Sequence, residues 1–190
     1  MLIEEIFSHL LSHMIKGLMI HDQLASAFGF LNLRGYSKCH EYHYFEESCS
    51  YRELQNYYLN RYHKLIGEEK IDNPTIIPST WFKYMKEDVD TNTKRSAIKD
   101  LMKKWIEWEK ETQTLLQQSY KELFNNGEVG AAIIIGELIT DNGEELASAQ
   151  EKQINFEMTN YDLVAIIDEQ EHYYSLYTTK IKKLFEDDEK

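Results

Sequence analysis

Apolar side chains recur every three or four residues in five separate stretches of the chain, which is the spacing of amphipathic helices. In the first stretch, for example, Ile3, Ile6 and Leu10 begin a stripe that continues to Phe28. Between the stretches, the pattern stops at residues that end helices or form turns. The pattern predicts five helices, over about residues 2–32, 36–65, 93–124, 128–152 and 160–185.

Two of the interruptions are short and predict helical hairpins. Arg34 and Gly35 separate the first two stretches, and glycine readily adopts the left-handed conformation that ends helices. Asn125, Asn126 and Gly127 separate the third stretch from the fourth in the same way. Helices joined so tightly lie antiparallel, so the sequence predicts two helical hairpins.

A long irregular stretch, residues 67–92, joins the hairpins and contains both prolines of the chain. Within it, Ser79 and Thr80 are expected to cap a short helix over residues 81–88. Two hairpins joined by one long crossover have the connectivity of ferritin-like bundles. We therefore predict an all-α fold: a ferritin-like four-helix bundle in residues 1–155, with the crossover between helices two and three, and a C-terminal fifth helix packed on it with an acidic tail in residues 156–190.

The composition supports long helices, and the net charge limits which classes of binding partner are expected. Only 2 Pro and 8 Gly occur in 190 residues, which favours helices without interruption. The 33 acidic residues outnumber 21 basic ones, and the net charge of −12 argues against nucleic acid and anionic membranes as partners and favours cations.

The amino-terminal stretch is too charged to span a bilayer and lacks the features of a signal peptide. Cys39 and Cys49 would lie too far apart on one helix to form a disulfide, so a cytoplasmic location is expected.

Acidic residues interrupt the apolar stripes at positions that should face the core. Glu47, Glu109 and Glu145 each fall on the inward stripe of a different helix, and Asp141 lies one turn before Glu145. Burying an unpaired carboxylate costs several kcal/mol, and converging carboxylates also repel one another. A bound cation removes both penalties, because hard metals prefer oxygen ligands. The alternative is that the stripes are offset by one residue and these side chains reach water at the edge of the core.

Two histidines are expected at the same depth as the carboxylates. Pairing about Gly127 places Glu109 opposite Glu145, and pairing about Arg34 places His21 opposite Glu47. Another histidine lies one turn before Glu47 on the same face. The predicted ligand set is a mixture of carboxylates and imidazoles suited to iron or manganese: His21, His43, Glu47, Glu109, Asp141 and Glu145.

Residues 105–145, WIEWEKETQTLLQQSYKELFNNGEVGAAIIIGELITDNGEE, resemble the third and fourth helices of non-haem bacterial ferritins. In that family an inward glutamate is followed by a small turn and an E-Q-x-E-E ending. On this alignment Glu109 matches the third-helix ligand. At the end of the fourth helix, Asp141 and Asn142 stand where Glu-Gln is usual, and Glu144 and Glu145 match the closing pair.

The second predicted helix resembles the family's helix around its E-E-x-x-H motif. Glu46 and Glu47 match the acidic pair, but Ser50 stands at the histidine position, and His40 and His43 are candidates to replace it. The family also has a glutamate ligand in its first helix, and two alignments to that position remain open. One without gaps gives Met14, with His13 adjacent, and one with a shorter first turn gives His21 or Asp22. The long crossover is more similar to that of miniferritins.

The resemblance implies oxidation of ferrous iron by oxygen or peroxide at a di-iron centre, with ferric mineral held in a hollow homo-oligomer. Because the ligand positions depart from the family pattern, a mononuclear or altered iron site is also open, as are manganese and a simple dimer. One rival function is a metal-free ferritin-like structural or interaction module with a degenerate site. The other is an unrelated helical protein that docks an acidic partner through its basic stretch, residues 94–104.

Overall fold

The computed structural model describes residues 2–66 and 90–186, in which all regular structure is helical. Helix α1 packs on α2, α3 packs on α4, α1 also contacts α3, and α5 lies against α2. This confirms the predicted bundle of two hairpins and the fifth helix. Residues 67–89 of the predicted crossover, including the short helix at 81–88, and the end of the acidic tail lie outside the described residues. The helices are α1 (Ile3–Phe30), α2 (Arg34–Tyr62), α3 (Thr91–Asn125), α4 (Val129–Met158) and α5 (Leu163–Glu186).

The first turn lies earlier than the sequence predicts. Asn32, not Gly35, takes the left-handed conformation, with a φ of 61°, because the short polar side chain of asparagine tolerates that region. The shorter turn changes which residues of α1 and α2 face each other. A Cβ atom on Gly17 would lie 2.7 Å from Oε1 of Glu47, so Gly17 lies opposite Glu47. The predicted pairing of His21 with Glu47 is therefore wrong by about one helical turn.

Gly35 lies inside α2 and serves close packing instead of the turn. A Cβ atom there would lie 1.9 Å from the carbonyl oxygen of Gln170 on α5. The backbone N–H of Gly35 also donates a hydrogen bond to Oε1 of Gln170, at 2.7 Å. Further along, the rings of Tyr42 and Tyr177 lie 5.7 Å apart. Helix α5 therefore runs parallel to α2 and in direct backbone contact with it.

The second hairpin follows the sequence prediction closely. Gly127 adopts a φ of 81° between α3 and α4. The carboxylate of Asp90 begins α3 by accepting hydrogen bonds from the backbone N–H groups of Asn92 and Thr93, which satisfies two donors that the first helical turn leaves unpaired. Ligand atoms of Glu109 and Glu145 lie within 4.8 Å of each other, so the pairing of α3 with α4 about Gly127 is the predicted one.

The core of the bundle consists of two apolar clusters, and each of the four bundle helices passes through both. One cluster contains Leu24 and Trp105, together with apolar residues near the α1–α2 turn. The other contains Leu10 and Leu116, together with residues near the α3–α4 turn. Polar side chains occupy the level where the two clusters meet. None of the helices in residues 2–66 and 90–186 has the length and hydrophobicity needed to cross a membrane.

Candidate metal centre

Helices α1 and α2 contribute three buried imidazoles at the level of the bundle where the two apolar clusters meet. His21 on α1 and His40 and His43 on α2 are at most 5 % exposed. The two α2 residues are three positions apart and so lie on one face of that helix. Nδ1 of His21 lies 3.1 Å from Nδ1 of His40, and the rings of His21 and His43 lie 5.5 Å apart. The three side chains therefore form one cluster.

Helix α3 contributes Glu109, which is 1 % exposed. Both of its carboxyl oxygens accept a hydrogen bond. Nε1 of Trp105 donates to Oε1 at 2.9 Å, and Nδ2 of Asn142 on α4 donates to Oε2 at 2.7 Å. Nε2 of His21 lies 3.8 Å from Oε1. The carboxyl group is thus held in one orientation, beside the imidazole of α1.

Glu145 on α4 joins the carboxylate of α3 to the imidazoles of α2. Its Oε1 lies 2.9 Å from Nδ1 of His43, and the same nitrogen lies 3.2 Å from Oε2 of Glu46. Two groups of side chains consequently bring metal-ligating atoms within 4.8 Å of one another: His21, Glu109 and Glu145, and His43, Glu46 and Glu145. Glu145 belongs to both groups.

The pKa values of the buried histidines and of Glu109 reflect their removal from water. Burial and the neighbouring His43 lower the pKa of His21 to about 3, and burial and the neighbouring His21 hold the pKa of His40 well below its usual value. Burial and Glu145 raise the pKa of Glu109 well above its usual value. Burial therefore disfavours the charged form of both groups across the contact between His21 and Glu109.

His43 behaves in the opposite way. Burial disfavours its charge, but the Glu145 carboxylate and Cys39 outweigh that effect and raise the pKa of His43 well above its usual value. Burial, followed by Glu145, raises the pKa of Glu47 to about 8. The contact of Nδ1 of His43 with the Glu145 carboxylate thus favours the charged imidazole, whereas burial favours the uncharged carboxyl group of Glu47.

Two cavities of about 250 Å³ lie on either side of Glu46 and Glu145. One is lined by residues of α1–α4 and by Leu184, and its wall includes Glu47 and Asn142. The other opens between α2, α4 and α5 and is lined by Tyr177 and Lys180 among others. Asp141 borders both cavities and is exposed, so it lies between them and solvent.

The predicted ligand residues meet at this level, but not all in the expected places. His21, His43, Glu109 and Glu145 contribute to the two groups of ligand atoms. Glu47 lies nearby, against Gly17 of α1. Asp141 reaches solvent, and the next residue, Asn142, points into the core and contacts Glu109.

Two contributors lie outside the predicted ligand set. Glu46 joins His43 and Glu145, although the stripe of α2 had pointed to its neighbour Glu47. His40 pairs with His21. The sequence signal for both was present, because Glu46 stands in the acidic pair and His40 one turn before His43, but only three-dimensional register distinguishes one member of such a pair from the other.

The candidate ligand residues that the two alignments of α1 propose lie in different surroundings. Met14 is buried in the apolar cluster nearer the α3–α4 turn. His13 stacks on Trp108 at 4.2 Å, and its Nε2 lies 2.8 Å from Oγ1 of Thr112. Asp22 is exposed. Of these candidates on α1, His21 is the one that contacts the carboxylates of α3 and α4.

No protein-family model matches this sequence, and no curated protein sequence does. Solved structures do match. A humanized archaeal ferritin superposes with a TM-score of 0.72 at 14 % identity, covering 90 % of this chain and 94 % of that one. An open pore ferritin from the hyperthermophilic archaeon Archaeoglobus fulgidus gives 0.72 at 14 %, covering 90 % and 95 %. The fold is ferritin-like. An engineered closed form of the Archaeoglobus fulgidus ferritin gives 0.71 at 14 %, with 90 % and 94 % covered. At this identity the likeness establishes the fold alone.

The donor set of this ferritin-like bundle fits a transition metal. Neutral imidazoles and carboxylates suit iron and manganese, and buried carboxylates are strongly stabilised by a cation. The two groups of ligand atoms share Glu145, so this residue could serve either group. His21, Glu109 and Glu145 would hold one ion, and His43, Glu46 and Glu145 a second.

Proposed function

We propose that the protein binds iron at this level of the bundle and oxidises ferrous iron there. The single observation that carries the proposal is that His21, Glu109 and Glu145, from three different helices, bring ligand atoms within 4.8 Å of one another inside the core. Carboxylates at such a position repel one another and lack solvation unless a cation is bound. The ferritin-like fold raises the expectation of iron, whereas the ligand chemistry alone would also accept manganese.

Occupation of one group gives a mononuclear site, and occupation of both gives a dinuclear site bridged by Glu145. Glu47 lines the cavity between α1–α4, beside the second group, and is available as a further oxygen ligand. In the dinuclear case, two ferrous ions lose one electron each to dioxygen, which takes up two protons and is reduced to hydrogen peroxide. Iron is thus the substrate, and the chain supplies its ligands and excludes water from it.

Acidic residues at the opening would bring ferrous ions to the site. Asp141 and Glu144 line the cavity between α2, α4 and α5 and are exposed. The net charge of −12 adds a long-range attraction for cations. Asp141 therefore has a role in entry, and it is also near enough to Glu145, one helical turn away, to assist in binding.

Adjacent glutamates provide a matched test. Glu145→Gln removes the shared ligand, whereas Glu144→Gln removes the same charge from the exposed neighbour. We expect anaerobic ferrous titration of metal-free protein to show one or two ions per chain for the wild type. Glu145→Gln should weaken binding by at least about tenfold and abolish the ferric absorbance that follows exposure to air, while Glu144→Gln stays within about threefold of the wild type. Equal binding by both variants would contradict the proposal.

A metal-free structural module is the second candidate, and one observation favours it. Both oxygens of Glu109 already accept hydrogen bonds, so its carboxyl group is satisfied without a cation. In that case added iron leaves the melting temperature unchanged, and Glu47→Leu stabilises the protein whether iron is present or not. If the protein binds iron, the metal stabilises the wild type and stabilises Glu47→Leu less.

We also propose that the chain forms a homo-oligomer in a reducing, cytoplasmic compartment. Phe124, Val129 and Ile133 expose more than half of their surfaces near the α3–α4 turn, and apolar surface of this kind is commonly covered in assemblies. Cys39 and Cys49 are free, as expected of a reducing environment. Sedimentation velocity distinguishes a monomer, which would contradict assembly, from a dimer or a closed cage.

A further inference from the structure

Each imidazole that faces the carboxylates has its other nitrogen engaged on the opposite side of the ring. His21 directs Nε2 towards Glu109, and its Nδ1 lies 3.1 Å from Nδ1 of His40. His43 directs Nδ1 towards Glu145, and its Nε2 lies 3.4 Å from Sγ of Cys39. The two rings therefore present different nitrogens to the centre, and each ring is contacted from behind by a residue of α2.

Those contacting residues, Cys39 and His40, are consecutive and both are 0 % exposed. Aromatic rings hold His40 in place: Phe28 stacks on it at 5.3 Å, and Trp105 meets it edge-on at 4.5 Å. Nε2 of His40 is buried and has no hydrogen-bond partner among the described residues. Its Nδ1 is engaged by His21, so His40 has no free nitrogen directed at the carboxylates and does not act as a ligand itself.

We propose that Cys39 and His40 are positioning residues of this centre, which determine the nitrogen that His43 and His21 present to a bound metal. The inference rests on the function proposed above. A neutral imidazole carries one proton, and a metal binds only the nitrogen without it. In this arrangement Nδ1 of His40 accepts a hydrogen bond from the Nδ1–H of His21. Nε2 of His21 is then unprotonated, and the proton of His40 lies on its own Nε2. A metal held at Nδ1 of His43 would leave the proton of that ring on Nε2, which lies 3.4 Å from Sγ of Cys39 and would donate a hydrogen bond to it. Such outer partners also fix ring orientation.

Variants at position 40 separate positioning from a structural role. His40→Asn keeps an acceptor, because the side-chain oxygen of asparagine occupies about the place of Nδ1. His40→Leu removes the acceptor, and it also removes the buried nitrogen that lacks a partner. We expect His40→Leu to keep or raise the melting temperature of the metal-free protein while weakening Co²⁺ binding about 10- to 100-fold. His40→Asn should bind within about threefold of the wild type.

Position 39 has its own controls on the same helix. Cys39→Ser keeps a hydrogen-bonding group behind His43, Cys39→Ala removes it, and Cys49→Ala changes the exposed cysteine. Co²⁺ binding should weaken about tenfold in Cys39→Ala and remain close to that of the wild type in Cys49→Ala. The visible spectrum of bound Co²⁺ should also change in Cys39→Ala, because a reoriented imidazole alters the ligand geometry.

Nitrogen NMR of the metal-free protein tests the tautomer directly. We expect the His21 proton on Nδ1 in the wild type and shared between the two nitrogens in His40→Leu. A His21 proton on Nε2 in the wild type would overturn the inference, as would equal Co²⁺ affinity in the wild type and His40→Leu. These outcomes leave the proposed function intact. A wild-type protein that binds neither Co²⁺ nor iron overturns that function, and the role of Cys39 and His40 towards a metal with it.

Discussion

Asn142 on α4 donates a hydrogen bond of 2.7 Å to Oε2 of Glu109 on α3, and both side chains are buried. Because Trp105 donates to the other oxygen, the carboxyl group of Glu109 has one orientation, and that orientation faces His21. The bond therefore joins the two helices of the second hairpin and also sets the position of a predicted ligand.

Loss of that bond should destabilise the metal-free protein. Asn142→Ala leaves the buried Oε2 of Glu109 without its donor, and we expect the free energy of unfolding to fall by about 2 kcal/mol. Asn155→Ala, at an exposed position of the same helix, should change it by less than about 0.5 kcal/mol. Urea denaturation in the presence of a chelator measures both. Similar free energies of unfolding for the two variants would show that the hydrogen bond does not contribute to stability.

Packing of α5 should depend on the absence of a side chain at Gly35. A Cβ atom there would overlap the carbonyl oxygen of Gln170, and backbone cannot move aside as a flexible side chain can. Gly35→Ala is therefore expected to detach α5 and expose it to protease. Gly143→Ala is the control, because its Cβ would meet no atom nearer than 3.9 Å and alanine favours helix by up to about 1 kcal/mol. Limited proteolysis with mass spectrometry distinguishes them; equal protection of α5 would contradict the expectation.

The first turn shows what sequence pattern could and could not predict. Helical spacing and the length of the crossover were enough for the fold. The pattern predicts the turn at Gly35, but the missing side chain there allows α5 to pack closely, and Asn32 makes the turn instead. A contact with a helix more than a hundred residues away is invisible to local pattern, and the misplaced turn shifted the register of α1 against α2.

The candidate site was predicted in part for the same reason. Glu109 and Glu145 were placed opposite each other because Gly127 does make the second turn. On α2, the shifted register brings Glu46 and His40 to the centre alongside His43 and moves Glu47 towards Gly17. On α4, Asn142 is buried and Asp141 exposed. A helical stripe locates a level of the bundle, but choosing between adjacent residues requires the rotation of each helix.

Acid should weaken the fold through His13. Burial and Lys16 lower the pKa of His13 from 6.5 to about 4, so the unfolded chain takes up a proton before the folded chain does. This contribution to stability is complete above pH 6.5 and is lost as the pH falls towards 4. We expect it to reduce the free energy of unfolding by about 1 to 2 kcal/mol between pH 7 and pH 5.

His13→Gln should flatten that pH dependence by the same amount, because glutamine does not titrate. His172→Gln, at an exposed position of α5, is the control and should retain the slope of the wild type. Urea denaturation at several pH values gives the comparison. If His13→Gln had the same slope as the wild type, the buried imidazole would not be its source.

Lys180 should slow the entry of cations. Its Nζ lies 4.8 Å from the centre of the Tyr42 ring, at the cavity that opens beside Asp141 and Glu144. Lys180→Ala removes a positive charge there, so Co²⁺ association in stopped-flow experiments should become severalfold faster at low ionic strength. Lys182→Ala makes the same change in net charge on another face of α5 and should have a smaller effect. High salt should bring the rates together; a persistent difference would exclude an electrostatic cause.

Anomalous diffraction from crystals grown with ferrous iron or Co²⁺ tests the metal centre most directly. We expect a peak at about 2.0–2.3 Å from Nε2 of His21 and from carboxylate oxygens of Glu109 and Glu145, with a second peak between His43, Glu46 and Glu145 if both positions fill. Peaks only at exposed carboxylates, with none inside the bundle at saturating metal, would contradict a metal centre and leave the protein a metal-free helical bundle.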